Sequence, residues 1–271
     1  MYGERRRRAT VEERPVHPIT ACASSLERTM RVALFLTCVN DGLFPNTGRA
    51  VVEVLESLGH EVVFPTQQTC CGQLHLNAGY QREGLHVAEQ FRRVFDPYDV
   101  IVSPSASCVG TVRESYRNAA RELGDPRLES DLHELAGRVF EFSEFLTDVL
   151  HVTDVGARFP YRVAYHPTCH SLRTLHLGEG PTALLRAVED LVLVDFAGSD
   201  QCCGFGGMFA LKNAATSVAI GADKVASVEH AGAEVLCALD NSCVTHIGGV
   251  SSRQHSSLRT MHLAEILATR K

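Results

Sequence analysis

The sequence predicts an α/β protein built as two pseudo-symmetric βαβ lobes with parallel sheets, the outcome of an internal duplication. Three observations carry this. Cysteines occur twice in one order: Cys38, Cys70-Cys71-Gly72 and Cys108, then Cys169, Cys202-Cys203-Gly204 and Cys243. Matching cysteines lie 131, 132, 132 and 135 residues apart, a constancy that marks a structural repeat rather than chance. Short β-branched runs alternate with helix-like stretches, the arrangement of strand–crossover–strand units.

Taken in order, residues 1–30 have no apolar signal-peptide core and carry six Arg against four Glu, so they read as a disordered leader. Met30 directly precedes the first strand-like run and is a second candidate start, and Cys22 reads as a bystander. Residues 31–37 (RVALFLT) form the first predicted strand, followed by a helix over 47–58 closed by Gly59 and a strand at 61–64. A helix over 80–95 leads to a strand at 98–102. The apolar spacing of 130–150 predicts one helix bridging the halves. The second half offers strands at 161–165, 191–195 and 233–237, and a final helix over 257–269. The expected domains are a first cysteine-rich unit at 31–128, a bridging helix and linker at 129–158, and a second cysteine-rich unit at 159–271.

Composition narrows the function. With 271 residues, 45% hydrophobic and 21% charged, the chain has the make-up of an ordinary globular protein. A formal charge of −6 argues against nucleic acid as a partner. No apolar run approaches the roughly 18 residues that span a bilayer. Ten cysteines without a secretion signal point to a cytoplasmic chain whose thiols serve metal or redox chemistry rather than disulfides.

In a parallel sheet the strands' C-terminal ends share one edge, where ligands of open α/β folds bind. Each motif cysteine follows a predicted strand, so the topology gathers Cys38, Cys70, Cys71 and Cys108 in one crevice and Cys169, Cys202, Cys203 and Cys243 in another. Nearby helix N-termini are expected to lower the thiol pKa values. Four thiolates suit an iron–sulfur cluster or zinc. Vicinal cysteines favour a cluster, because a single tetrahedral ion usually takes a C-x2-C pair. Adjacent cysteines bridge only with strain, which disfavours disulfide chemistry. Cys237, inside a predicted strand, reads as a small core hydrophobe. Gly204-Phe-Gly206-Gly207 reads as backbone room around a cluster rather than a dinucleotide loop. His75, His166, His170 and His246 are expected to support ligands by hydrogen bonding rather than to ligate.

Several stretches resemble the cysteine-rich CCG domain found in heterodisulfide reductase and in the iron–sulfur subunits of glycolate oxidase and anaerobic glycerol-3-phosphate dehydrogenase. These are Phe35-Leu-Thr-Cys38-Val-Asn-Asp, Phe44-Pro-Asn-Thr-Gly48, Thr69-Cys-Cys-Gly-Gln73, Cys202-Cys-Gly-Phe-Gly-Gly-Met-Phe209 and Asp240-Asn-Ser-Cys243. The pattern is most similar to the lactate-utilisation protein A family, over about residues 30–270. That resemblance implies one cluster per lobe, of the 4Fe–4S type, and an electron-transfer subunit oxidising L-lactate to pyruvate beside two partner iron–sulfur proteins. Ser105 and Asp240 stand where the CCG domain of heterodisulfide reductase has the first cysteine of a CxxC element. This leaves four cysteines per lobe and makes either an ordinary four-thiolate cluster or oxygen ligation by Asp240 the expectation, in place of a noncubane cluster. The alternatives are a glycolate, glycerol-3-phosphate or heterodisulfide-reductase type of electron-transfer subunit, and a zinc-stabilised scaffold without redox role, including zinc in one lobe only.

Overall fold

A computed structural model describes residues 29–270. The expected leader, apart from its last two residues, and Cys22 lie outside the described residues. The chain forms two four-stranded sheets, parallel throughout. The first contains β1 (Arg31–Leu34), β2 (Glu61–Val63), β3 (Val100–Ser103) and β4 (Val139–Glu141), in the order β2-β1-β3-β4. The second contains β5 (Arg162–His166), β6 (Val192–Val194), β7 (Val235–Ala238) and β8 (Arg259–His262), in the matching order β6-β5-β7-β8. Central strands are buried on both faces, as crossover helices require: Val32, Ala33 and Leu34 of β1 and all of β7 are buried. Register follows, with Val32 opposite Val100 in the first sheet and Val163 opposite Val235 in the second.

The crossover helices bury one stripe each. Helix Pro45–Ser57 starts on a proline, buries Ala50, Val51, Val54 and Leu55, and is followed by Gly59 at φ +85°. Helix Gln81–Phe95 buries Leu85, Ala88, Phe91 and Phe95 at helical spacing. Phe91 and Phe95 pack edge-on to Phe35, with ring centroids 4.8 and 5.4 Å away.

Two sequence expectations change. The 130–150 stretch is not one helix. Helix Pro126–Ala136 ends, β4 pairs with β3, and helical structure resumes at Phe142–Glu144 and continues as the π-helical turn Phe145–Val149. Likewise β8 occupies the start of the expected last helix, leaving only Leu263–Leu267 helical. In both places a short strand runs directly into a capped helix, so apolar residues on either side of the junction read as one helical stripe. The Glu141 side chain accepts from the Ser143 and Glu144 N–H groups, and His262 Nδ1 accepts from the Ala264 N–H.

The lobes dock reciprocally. Helix Leu263–Leu267, closing the second lobe, packs on Pro45–Ser57 of the first, and Phe142–Glu144, closing the first, packs on Gly180–Ala187 of the second. One hydrophobic core is therefore continuous from Val32 and Phe35 through Val163, Leu239 and Ile266. Among the described residues, no helix is long and apolar enough to cross a membrane.

Candidate metal centre

In each sheet the chain reverses direction beside its first strand, at β1/β3 and β5/β7, the crevice where ligands of open α/β sheets bind. Cys38 opens helix Cys38–Leu43 after β1, Cys70 and Cys71 lie in the loop after β2, and Cys108 sits in helix Ala106–Gly110 after β3. The second lobe repeats this: Cys169 opens Cys169–Arg173, Cys202 and Cys203 follow β6, and Cys243 lies in the first turn of Asn241–Arg253. Sequence reasoning expects a separate crevice in each lobe. The structure instead has all eight cysteines lining one cavity of about 210 Å³ between the lobes. Sulfurs meet in pairs, with Cys38 Sγ 3.5 Å from Cys70 Sγ, and Cys71 and Cys203 each 3.1 Å from Cys108 and Cys243 respectively. Cys237 is buried in β7 and faces the core.

The glycine after each vicinal pair turns the chain back onto it. Gly72 and Gly204 have φ +72° and +95°, and their N–H groups donate to Cys70 Sγ at 3.4 Å and Cys202 Sγ at 3.3 Å. A Cβ on Gly204 would lie 2.5 Å from the Ser217 carbonyl oxygen. The expected general lowering of thiol pKa values is not what the geometry gives. Cys70, accepting from Cys38, Cys71 and the Gly72 N–H, is held down. Cys38 is pushed up by its hydrogen bond to Cys70 and by burial, Cys202 by its hydrogen bond to Cys203 and by burial, and Cys169 chiefly by burial. Mutual hydrogen bonding and desolvation outweigh the ends of short helices.

The lobes are joined around Asp240, which is 2% exposed. Its Oδ1 accepts from Ser105 Oγ at 2.9 Å, Ser107 N at 3.0 Å and Ser107 Oγ at 2.7 Å, and its Oδ2 accepts from Thr168 Oγ1 at 2.9 Å. Ser105 and Asp240, equivalent positions of the repeat, thus bond to each other across the lobe boundary. Beside them Asn241 donates to Asn40 Oδ1 and Thr47 Oγ1, and Gln73 Nε2 donates to His170 Nε2 at 3.2 Å.

The four histidines part ways. His75 is exposed. His170 accepts from Gln73, and His246 Nε2 donates to the Ser217 carbonyl at 3.1 Å. His166 ends β5 with no exposure, and its Nδ1 lies 3.1 Å from the Ser199 carbonyl. A carbonyl only accepts, so Nδ1 carries the proton and Nε2 keeps its lone pair. That Nε2 has no hydrogen-bond partner, and a ring nitrogen of His166 lies within 4.8 Å of Cys203 Sγ and Cys243 Sγ. Burial and the Lys224 charge push His166 down to about 4, so the ring is neutral. Lys224 Nζ is itself held by the carbonyls of Gly198, Ser199 and Gln201, bracing the loop that leads to Cys202. Sequence reasoning passed over this environment of His166. The signal for it was a histidine placed three residues before Cys169, where the first repeat has Phe35.

Two parallel-sheet lobes whose cysteine loops share a cavity define a paired cysteine-rich-domain protein. A family profile described as a cysteine-rich domain, CCG, matches residues 32–113 and 163–248. Lactate utilization protein A of an Exiguobacterium species is 44% identical over 238 residues, 87% of this chain and 96% of that protein. Lactate utilization protein A of Bacillus pumilus is 40% identical over 241 residues, 89% of this chain and 100% of that protein. This chain belongs to the lactate utilization protein A family. Among solved structures, a hypothetical protein from Helicobacter pylori shares the fold, with TM-score 0.60 at 13% identity over 88% of this chain and 48% of its own.

Proposed function

We propose that this chain is an electron-transfer subunit in the oxidation of L-lactate to pyruvate, with Cys38, Cys70, Cys71 and Cys108 holding one iron–sulfur cluster and Cys169, Cys202, Cys203 and Cys243 another. The convergence of eight cysteines, four per lobe, on one cavity carries this reading. The donor set fits: soft thiols suit iron–sulfur clusters, and Asp240, the carboxylate lining the cavity with them, already accepts four hydrogen bonds. We therefore assign Asp240 to holding the lobes together rather than to ligation.

Each cluster, when bound, supplies one-electron carriage. Lactate oxidation releases two electrons and two protons, so two carriers facing one cavity match its electron count. The chain's own contribution is to donate the Gly72 and Gly204 N–H groups to sulfur and to fix the lobes' spacing through Asp240. No flavin or nicotinamide motif stands in the sequence, so the chemistry on lactate is assigned to partner iron–sulfur proteins, in keeping with the relatives' name. The expected setting is cytoplasmic.

A second reading, zinc in one or both lobes, is favoured by the sulfur spacing. Two thiolates on one tetrahedral ion with bonds of about 2.3 Å stand ~3.8 Å apart, close to the 3.1–3.5 Å pairs here. The deciding experiment is anaerobic purification with iron, sulfide and zinc counted per chain, repeated for Cys70→Ser and Cys202→Ser. About eight irons, roughly halved by each substitution, is the expected result. Zinc without iron would overturn the electron-carrier reading.

A further inference from the structure

We infer that His166 is a metal ligand through Nε2, so that the second lobe binds its metal group with one nitrogen besides its cysteines while the first binds with sulfur alone. The inference rests on the reading that each lobe holds a metal group, and adds to it a ligand outside the cysteine motif.

Three observations lead there. The imidazole is wholly buried at the end of β5, and its Nε2 is left without a hydrogen-bond partner, an arrangement a folded protein retains only for a reason. The lone pair on that nitrogen is fixed by the opposite side of the ring, because Nδ1–H donates to the Ser199 carbonyl at 3.1 Å. A backbone acceptor on one ring nitrogen is the usual means by which a histidine ligand's tautomer and orientation are set. Finally, a ring nitrogen of His166, Cys203 Sγ and Cys243 Sγ all lie within 4.8 Å of one another, a span one metal centre can bridge, and with Nδ1 committed to the Ser199 carbonyl the nitrogen free to ligate is Nε2.

The first lobe excludes the same role. Its matching residue, Phe35, stands three positions before Cys38 as His166 stands before Cys169, and its ring is committed to the stack with Phe91 and Phe95. The repeat has therefore diverged at a position that can add a neutral donor. Exchanging this neutral imidazole for an anionic thiolate, as His166→Cys does, makes the bound group more negative and harder to reduce.

The test uses full-length, anaerobically reconstituted protein. Pulsed EPR of the reduced sample should show a strongly coupled nitrogen, lost in His166→Cys and unchanged in His75→Gln. His166→Cys keeps a ligand, so iron per chain should hold while the second lobe's potential falls. His166→Gln, whose amide can still reach the Ser199 carbonyl, should lose both the nitrogen signal and part of the second lobe's metal. Iron bound at full level with no strongly coupled nitrogen, or a coupling that survives in both variants, overturns the ligand assignment and leaves the cluster reading standing. If zinc alone is bound, the cluster reading fails and X-ray absorption decides: a nitrogen in the zinc shell, absent from His166→Cys, upholds the ligand, and an all-sulfur shell overturns it. A chain that binds neither metal overturns both.

Discussion

The hydrogen bonds onto Asp240 give the most direct handle on how the cavity is held. Consider Ser105→Ala combined with Ser107→Ala. The carboxylate stays buried but loses two of its four side-chain and backbone donors, at 2.9 and 2.7 Å. Hydrogen bonds to a charged group contribute about 1.5–3 kcal/mol each, so the pair should cost about 3–6 kcal/mol. With a urea dependence of about 3 kcal/mol/M, at the upper end for a chain of this size, the unfolding midpoint should drop by roughly 1–2 M. The same two substitutions in an Asp240→Asn background should cost only about 1–2 kcal/mol, because bonds to a neutral amide are weaker. Urea unfolding of the four proteins closes the cycle. Equal costs in both backgrounds, or a serine-pair cost below about 1 kcal/mol, would show that Asp240 does not hold the lobes. Metal counting on Asp240→Asn separates structure from ligation: a folded variant keeping its full metal content agrees with our assignment, and loss of one lobe's metal would restore Asp240 as a ligand.

Further outcomes follow from other residues. Burial raises the Glu141 carboxyl to about 8 against an ordinary 4.5. The folded chain thus keeps a proton the unfolded chain releases, so stability is full below about pH 4.5 and declines as pH rises toward 8, by up to about 1.4 kcal/mol per unit. Glu141→Gln should flatten that slope, and a wild-type midpoint that does not fall across the window would disprove it. Gly204→Ala forces a Cβ against the Ser217 carbonyl at φ +95° and should cost on the order of 3 kcal/mol and empty the second lobe selectively. Gly72→Ala meets only the Val87 side chain, 3.1 Å away, and should be milder, so a metal count showing the reverse order would refute the argument. Lys224→Met removes the ammonium that donates to the Gly198 and Gln201 carbonyls and a positive charge near the second lobe's thiols. It should destabilise by about 1–3 kcal/mol and lower that lobe's potential, measurable by voltammetry; a rise in potential would contradict it.

Much of this was readable from the chain. Cysteine order and offset exposed the duplication, and β-branched runs such as Arg31–Leu34 and Val235–Ala238 stood out because central parallel strands are apolar on both faces. Strands β4 and β8 were hidden because each is three or four residues long and merges into a helix. Their kinship, Glu141-Phe-Ser-Glu-Phe-Leu146 beside His262-Leu-Ala-Glu-Ile-Leu267, appears only once both are known to close a sheet. The shared cavity was not legible either. Periodicity reports which face of an element is buried, not which lobe covers it, and the donors that bring Ser105 to Asp240 are polar residues with no period. His166 escaped for a similar reason: a strand-terminal histidine looks the same in sequence whether its second nitrogen is satisfied or bare.

The Ser105–Asp240 bond has an implication for how such a molecule can be assembled. In a symmetric dimer of identical half-chains, a residue near the twofold axis faces its own copy. Two aspartates there would repel and two serines would bind weakly, so no single choice supplies both a charge and its donor. Joining the halves in one polypeptide frees the two positions to differ, and the complementary pair that results can form only between a first and a second lobe. Two first lobes or two second lobes are disfavoured by the same contact. Covalent linkage thereby turns a self-matching interface into a lock with one key, and makes the cavity behind it an asymmetric compartment whose two sides are not interchangeable.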